Sequence, residues 1–195
     1  MEKKLVFNDL LKDAITIGLK NILSLIGCLI LWGLTIWIPY INVGTTIAII
    51  TLPAELSKGK VISPLGIFDK KYFKYMGEFF LVSGLKGLII FPAMFFLFVP
   101  AIVLSIALSL ATLLGVDKGK GAADAIKLSN KLTYGNKWTI FLAQLVLGIA
   151  INILSFILLK IWIGLAIILA LVALPVMLGL KASIYGTLAG DVAEE

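Results

Sequence analysis

The chain has 195 residues, of which 61% are hydrophobic, with a mean hydropathy of +1.09 and a formal net charge of +6. Soluble domains are about half apolar, so this composition argues against a soluble globular protein. All 17 basic residues are lysines and there is no histidine, which removes the arginine side chains that read nucleic-acid bases and the imidazole of Ser-His-Asp triads and ordinary zinc sites.

Four long stretches carry no charged residue at all, namely 21–54, 87–116, 138–159 and 161–180. A helix needs about 20 apolar residues to cross the hydrocarbon core of a bilayer. A soluble all-helical domain is the alternative, but uncharged runs of this length leave no soluble surface. The sequence therefore predicts an all-α integral membrane protein that forms a single transmembrane domain over residues 1–195.

The first predicted element is an interfacial helix over 5–18, where apolar residues recur at helical spacing among charged ones. A transmembrane helix follows over 19–38 and is broken around Pro39, because proline removes a backbone donor and restricts the residue before it. A second transmembrane helix is predicted over 43–57. Lys58-Gly59-Lys60 ends it.

The second half begins with a loop in which Asp69 is the predicted start of a helical segment, leading to a transmembrane helix over 75–98. Val99-Pro100 is the next break, and a fourth transmembrane helix is predicted over 101–115.

The longest polar interval between apolar runs follows. Its apolar and polar residues alternate with a helical period, which predicts an interfacial amphipathic helix over 121–134. Transmembrane helices over 138–158 and 161–188 complete the chain, with Lys160 at the turn between them.

Lysine positions determine the predicted number of crossings. The uncharged runs 21–54 and 87–116 have lysine-rich flanks on both sides, and lysine-rich loops stay cytoplasmic. Each run must then cross the membrane twice, and the pair of helices around Lys160 also returns to its starting side. The prediction is six transmembrane helices arranged as three hairpins, with both termini on the cytoplasmic side of the membrane.

Lys86 is the lysine that this arrangement places inside a span, where a charge is costly and usually faces protein or water. One interpretation is a polar cavity or translocation path, with Ser105, Ser109, Gln144 and Asn152 as candidate companions. The other is that the lysine side chain extends to the headgroups. The companions are more typical of hydrogen bonds between packed membrane helices, and we favour that interpretation of them.

The polar side of the amphipathic segment contains the candidate contacts to anionic lipid headgroups. These are Lys120, Lys127 and Lys131, since basic residues beside a membrane are attracted to its anionic lipids. The pair Asp117 and Asp124 has lysine neighbours, and we interpret it as part of a solvated charged surface.

Three short motifs in residues 65–188 are similar to those of a known group of proteins. They are Val99-Pro100, then Asp124-Ala125-Ile126-Lys127-Leu128-Ser129 with Gly135-Asn136-Lys137-Trp138, and finally Pro175 followed by Ala182-Ser183-Ile184-Tyr185. The region resembles bacterial polytopic membrane proteins related to the membrane domain attached to some glycerophosphoryl diester phosphodiesterases. Ala101 stands where that group has glycine. The resemblance implies a six-helix protein of a bacterial inner membrane. It carries over no catalytic residue, since the phosphodiesterase domain is not part of this sequence.

The functional prediction follows from what the sequence offers as a site. No catalytic, metal or cofactor site is evident, so we expect a protein that is not an enzyme and binds no cofactor. The leading hypothesis is a non-catalytic membrane module that supports envelope maintenance or assembly. The alternative is a small transporter or lipid-handling protein with a polar intramembrane site around Lys86. The expected partner is the bilayer, with anionic headgroups on the cytoplasmic side, and not nucleic acid.

Overall fold

The computed structural model describes residues 3–96 and 98–193. Leu97, which falls in the predicted third transmembrane helix, and the first two and last two residues of the predicted domain lie outside the described part. Within it the chain is 82% helical with no strand, which confirms the predicted all-α fold. The helices are α1 (Phe7–Lys20), α2 (Ile22–Thr35), α3 (Ile41–Leu56), a 3-10 helix (Pro64–Phe68), α4 (Lys70–Lys74), α5 (Met76–Phe95), α6 (Phe98–Ala107), α7 (Ala111–Asp117), α8 (Ala122–Thr133), α9 (Lys137–Ile161) and α10 (Ile163–Ala189).

Four of the described segments are long enough and apolar enough to span a membrane. They are α5, α6 together with α7, α9 and α10, and the bent pair α1–α2 makes a fifth if it counts as one span. Only 6% of the most apolar window of α9 and 11% of that of α5 is buried inside the protein. Apolar surface of this extent needs a cover, and four to five such helices are consistent with a multi-pass membrane protein.

The first hairpin, formed by α2 and α3, is shorter than the others. At 14 and 16 residues these helices are about 21 Å and 24 Å long, compared with a hydrocarbon core of about 30 Å. A bend of 65° separates α1 from α2. The uncharged run 21–54 has 34 residues, fewer than the about 40 that two full crossings need, and the turn at 36–40 takes residues from both helices.

The segment after the first hairpin folds back along it. Near the end of α3, the Lys71 ammonium bonds to the Glu55 carboxylate. Near its start, the Phe73 ring lies against Gly44 and 5.2 Å from the ring of Tyr40, which belongs to the hairpin turn. The helix α4, which carries three lysines, therefore lies beside the middle of α3, and the hairpin turn lies close to it.

The helix predicted over 5–18 is present as α1 and packs tightly along the C-terminal half of α10. Leu10, Ala14 and Gly18 are its buried residues. A Cβ atom at Gly18 would lie 2.8 Å from the Pro175 carbonyl oxygen, so only glycine permits this approach of the two backbones. The Ser183 hydroxyl donates to an Asp13 carboxylate oxygen at 2.8 Å.

The predicted fourth helix is broken into α6 and α7 by a turn at 108–110, and α8 holds the break. The Leu110 N–H donates to Ser129 Oγ at 3.1 Å, and that hydroxyl donates to the Ala107 carbonyl at 2.7 Å. Thr133 Oγ1 donates to the same carbonyl at 3.3 Å. Buried backbone groups freed by a broken helix need such partners, and α8 supplies them from its inner face.

The amphipathic character predicted for 121–134 is confirmed in α8. Ala125, Ser129 and Thr133 are buried at intervals of four residues, whereas Lys127 and Lys131 are exposed. The buried face packs on the protein core, which is formed mainly by α1, α7, α8 and the C-terminal half of α10. This core lies at the polar end of the molecule, where the lysine-rich segments meet.

Candidate functional site

The carboxylate of Asp117 is the centre of a charged cluster at the polar end. Asp117 is the last residue of α7, and its side chain is 5% exposed. One carboxylate oxygen lies 3.1 Å from Lys58 Nζ, and the other accepts a 2.8 Å hydrogen bond from the Tyr185 hydroxyl. Lys118 Nζ is 3.9 Å away. Asp117 is therefore a buried, paired group, and its assignment to a solvated surface was wrong because the sequence does not reveal that Tyr185 on α10 and Lys58 contact it. Asp124, the other member of the predicted pair, is exposed.

Glu55 extends the cluster towards α4. Its carboxylate accepts from Lys58 Nζ at 3.0 Å and from Lys71. Lys58 thus bridges two carboxylates, one on α3 and one on α7. Burial of the Lys58 ammonium favours its neutral form, but hydrogen bonds to Glu55 and Asp117 outweigh this and raise the pKa of Lys58 above its usual range.

The cluster ties together α3, α4, α7 and α10. Tyr72, beside it, is 3% exposed, and burial together with the neighbouring carboxylates raises the pKa of its phenol. Each carboxylate of the cluster pairs with at least one ammonium. Burial raises the pKa of Glu55, but the hydrogen bonds from Lys71 and Lys58 outweigh it and lower that pKa below its usual range. The ion pairs and hydrogen bonds of this cluster hold four helices together at one end of the molecule. Five of its members were not recognised from the sequence: Glu55, Lys58, Lys71, Asp117 and Tyr185.

Lys86 faces the protein. From α5 its Nζ donates to Thr112 Oγ1 on α7 at 3.2 Å, in a partly buried environment. Thr112 itself is 7% exposed and follows directly on the α6–α7 break. The cavity interpretation of Lys86 predicted a polar partner from another helix, but Thr112 was not among its candidates.

The predicted companions of Lys86 do not form one polar site. Ser105 is exposed and donates to the Ile102 carbonyl of its own helix at 2.8 Å. Asn152 is exposed and donates to the Gly148 carbonyl at 2.8 Å. Ser109 is half-buried in the break between α6 and α7, and Gln144 is half-buried on α9.

The exposed lysines of α8 line an open groove of about 690 Å³ at the polar end, called here the basic groove. It lies between α8 and the two ends of the described chain, and its lining includes Lys3, Lys127, Asn130, Lys131, Tyr134 and Asp191. Lys3 forms a 2.7 Å ion pair with Asp191. Lys120 is half-buried in the loop before α8 and is not part of this lining, so the three predicted lipid contacts divide into two in the groove and one outside it.

Asn136 fixes the N-terminal segment beside the basic groove. It is 4% exposed, its Oδ1 accepts from the Leu5 N–H at 2.8 Å, and its Nδ2 donates to the Lys3 carbonyl at 2.7 Å. The preceding Gly135 has φ of +76°, a conformation that favours glycine. This turn lets α9 start directly after α8, with the Asn136 side chain directed at residues 3–5.

A second hollow of about 410 Å³, called here the apolar groove, lies between α6 and α9. Branched and aromatic side chains form most of its lining, and Tyr134, Lys137 and Trp138 form its polar rim. Trp138 is 76% exposed and Tyr134 is 67% exposed. Amphipathic rings of this kind are enriched at the membrane–water interface.

Among the described residues, no three His, Cys, Asp or Glu side chains are grouped so that they could hold a metal ion. A scan against protein-family models and searches among curated proteins and solved structures find no match for this chain. The two grooves, the charged cluster and Lys86 are therefore interpreted from their own geometry.

Proposed function

We propose that the chain is a multi-pass protein of a bacterial inner membrane that acts as a non-catalytic membrane module, supporting envelope maintenance or assembly. The observation that carries this proposal is the division of the molecule into two parts. Charged side chains such as Asp117, Lys58 and Glu55 fasten the helices at one end, whereas α5 and α9 present apolar surface. The resemblance noted in residues 65–188 supports the bacterial membrane as the location.

We further propose a topology in which the lysine-rich end faces the cytoplasm and α5, α6–α7, α9 and α10 each cross the bilayer. Two observations favour a first hairpin, formed by α2 and α3, that enters the membrane from the cytoplasmic face and returns without crossing. The predicted number of crossings then falls from six to four. The hairpin helices are about 21 Å and 24 Å long, and the turn residue Tyr40 contacts Phe73 on the lysine-bearing α4. Both termini remain cytoplasmic in either arrangement, and the Lys3–Asp191 ion pair is consistent with this.

A small transporter or lipid-handling protein is the second candidate, and the inward bond from Lys86 to Thr112 is the observation that favours it. A translocation path would bring further polar groups to Lys86. Ser105 and Asn152 instead bond to their own helices on exposed surface, and none of the grooves described above is lined by Lys86. These observations give more support to the packed module.

Complementation of a deletion strain distinguishes the two candidates. The wild-type chain should restore resistance to detergent and other envelope stress, and so should Lys86→Leu, because a bilayer accepts leucine more readily than lysine. A Lys86→Leu protein that inserts at wild-type levels but fails to complement would favour the transporter. Thr112→Val is the matched variant, since it removes the hydrogen-bond partner and leaves the lysine in place.

A further inference from the structure

We propose that the basic groove and the apolar groove together bind one anionic phospholipid, with its headgroup at the lysines and an acyl chain between α6 and α9. This inference rests on the proposed function, because only a membrane-embedded chain presents both grooves to lipid. It goes beyond general attraction of surface lysines to a membrane, since it assigns a defined site with a polar and an apolar part.

The two grooves adjoin each other at one end. Tyr134, the residue after α8, lines both of them. Lys137, on the rim of the apolar groove, donates to the side-chain oxygen of Asn130, in the basic groove, at 3.1 Å. A polar hollow and an apolar hollow thus meet at Tyr134 and Lys137, which is the arrangement that an amphipathic ligand requires.

The charge of the lining selects an anion. In the described part of the lining there are four lysines, namely Lys3, Lys127, Lys131 and Lys137, and one carboxylate, that of Asp191. Lys3 and Asp191 are paired with each other at 2.7 Å. Among the described lining residues the remaining three ammonium groups have no further carboxylate partner, so a phosphate headgroup offers the complementary charge.

The apolar groove has the position and lining that suit an acyl chain. Its wall on α6 runs from Ile106 to Val99, about 10 Å at 1.5 Å per residue. Trp138 and Tyr134 at its rim mark the headgroup level, so the groove extends from there into the hydrocarbon. Val103 on the α6 wall is 43% exposed, and a chain lying in the groove would cover it.

Fluorescence quenching in reconstituted vesicles tests this site, with Trp138 as the probe at its rim. The full chain is placed in vesicles that contain an equal mole fraction of brominated-acyl phosphatidylglycerol or brominated-acyl phosphatidylcholine. The signal of Trp138 is the difference between the wild type and Trp138→Phe. We expect the anionic lipid to be preferred at least about fivefold, since one lysine beside an anionic headgroup contributes about 1 kcal/mol.

Variants that remove charge from the basic groove or fill the apolar groove test whether the lipid preference arises at this site. The preference for the anionic lipid should disappear in the triple variant that combines Lys127→Gln, Lys131→Gln and Lys137→Gln. It should also fall in Val103→Phe, which fills the apolar groove. The matched control combines Lys12→Gln, Lys70→Gln and Lys74→Gln, which removes the same charge from exposed positions elsewhere and should preserve the preference.

The possible failures are distinguishable. Equal quenching by the two lipids, or equal loss of preference in the control triple, would overturn the lipid site and leave the membrane proposal intact. Absence of quenching by either lipid would overturn the membrane embedding itself. Retained preference in Val103→Phe would show that the headgroup binds without the apolar groove, which contradicts the two-part site.

Discussion

The hydroxyl of Ser129 provides a sharp test of how the broken helix α6–α7 is held. Ser129 is fully buried, and its Oγ accepts from the Leu110 N–H and donates to the Ala107 carbonyl. In Ser129→Ala the carbonyl keeps the Thr133 hydroxyl as a donor at 3.3 Å, but the Leu110 N–H loses its acceptor. A buried donor left without a partner costs about 1–3 kcal/mol, so we expect the free energy of unfolding to fall by about that amount.

The matched control is Ser105→Ala. This hydroxyl is exposed and bonds only to a carbonyl of its own helix, so the change should stay within about 0.5 kcal/mol. Both variants can be compared by equilibrium unfolding in mixed micelles with an increasing fraction of denaturing detergent, followed by circular dichroism. Thr133→Ala added to Ser129→Ala should cost more than the sum of the two single changes, because the Ala107 carbonyl then loses both donors. Equal stability of Ser129→Ala and Ser105→Ala would refute the assignment of α8 as the support of the break.

Three further predictions concern packing and charge. Gly18→Ala should lower the free energy of unfolding by about 1–3 kcal/mol through overpacking, since its Cβ would lie 2.8 Å from the Pro175 carbonyl oxygen. Gly148→Ala, where a Cβ meets open space, should raise the free energy of unfolding by up to about 1 kcal/mol. The reverse order of the two variants in the same unfolding assay would contradict the α1–α10 contact. Asp117→Asn should lower the pKa of Lys58, measured by NMR of labelled lysine, because Asp117 is one of two carboxylates that raise it. Since the pKa of Lys58 is raised in the folded state, the stabilisation that its ion pairs give is complete at neutral pH and is lost only as the pH rises above 10.5. An unchanged Lys58 pKa in Asp117→Asn would contradict the coupling between the two groups. Lys86→Leu should leave stability in the bilayer unchanged or increased, and a marked loss in the same unfolding assay would mean that the bond to Thr112 outweighs the desolvation of the charge.

Hydropathy and periodicity predicted much of the fold because the responsible signals are local. The helices α9 and α10 begin and end within three residues of the predicted bounds 138–158 and 161–188, and α8 lies within 121–134. The N-cap at Asp69 is also confirmed, since its carboxylate accepts from the Lys71 N–H at 3.0 Å. Each of these features depends on residues that are neighbours in the sequence.

The path of the first hairpin was harder to predict because the number of apolar residues in a run does not show where the chain bends. The kink between α1 and α2 falls at the start of the uncharged run, and the turn before α3 interrupts the run. The return of the chain from Pro64 to Phe73 along this hairpin depends on tertiary contacts such as that between Phe73 and Gly44, which leave no periodic signal.

The charged cluster escaped prediction for a related reason. Asp117 lies beside lysines in the sequence and therefore resembles a surface residue, but its partner Tyr185 is 68 positions away. The one available signal was that Asp117 directly follows a long apolar run, where a carboxylate at a helix end needs a partner. Lys127 and Lys131 were recognised because the helical period alone places them on the polar face of α8.

Labelling of single cysteines from each side of the membrane tests the central claim of a multi-pass protein with a first hairpin that does not cross. The background is Cys28→Ser, since Cys28 is the only cysteine and is buried. The reporters are Lys60→Cys at the lysine-rich end, Ile163→Cys at the turn between α9 and α10, and Trp37→Cys at the first hairpin turn, where the side chain is 88% exposed. An impermeant reagent should label Lys60→Cys from the cytoplasmic side and Ile163→Cys from the opposite side, and the reagent that labels Ile163→Cys should leave Trp37→Cys unlabelled. Labelling of Trp37→Cys together with Ile163→Cys would contradict the non-crossing hairpin, and labelling of Lys60→Cys and Ile163→Cys from the same side would contradict the membrane topology as a whole.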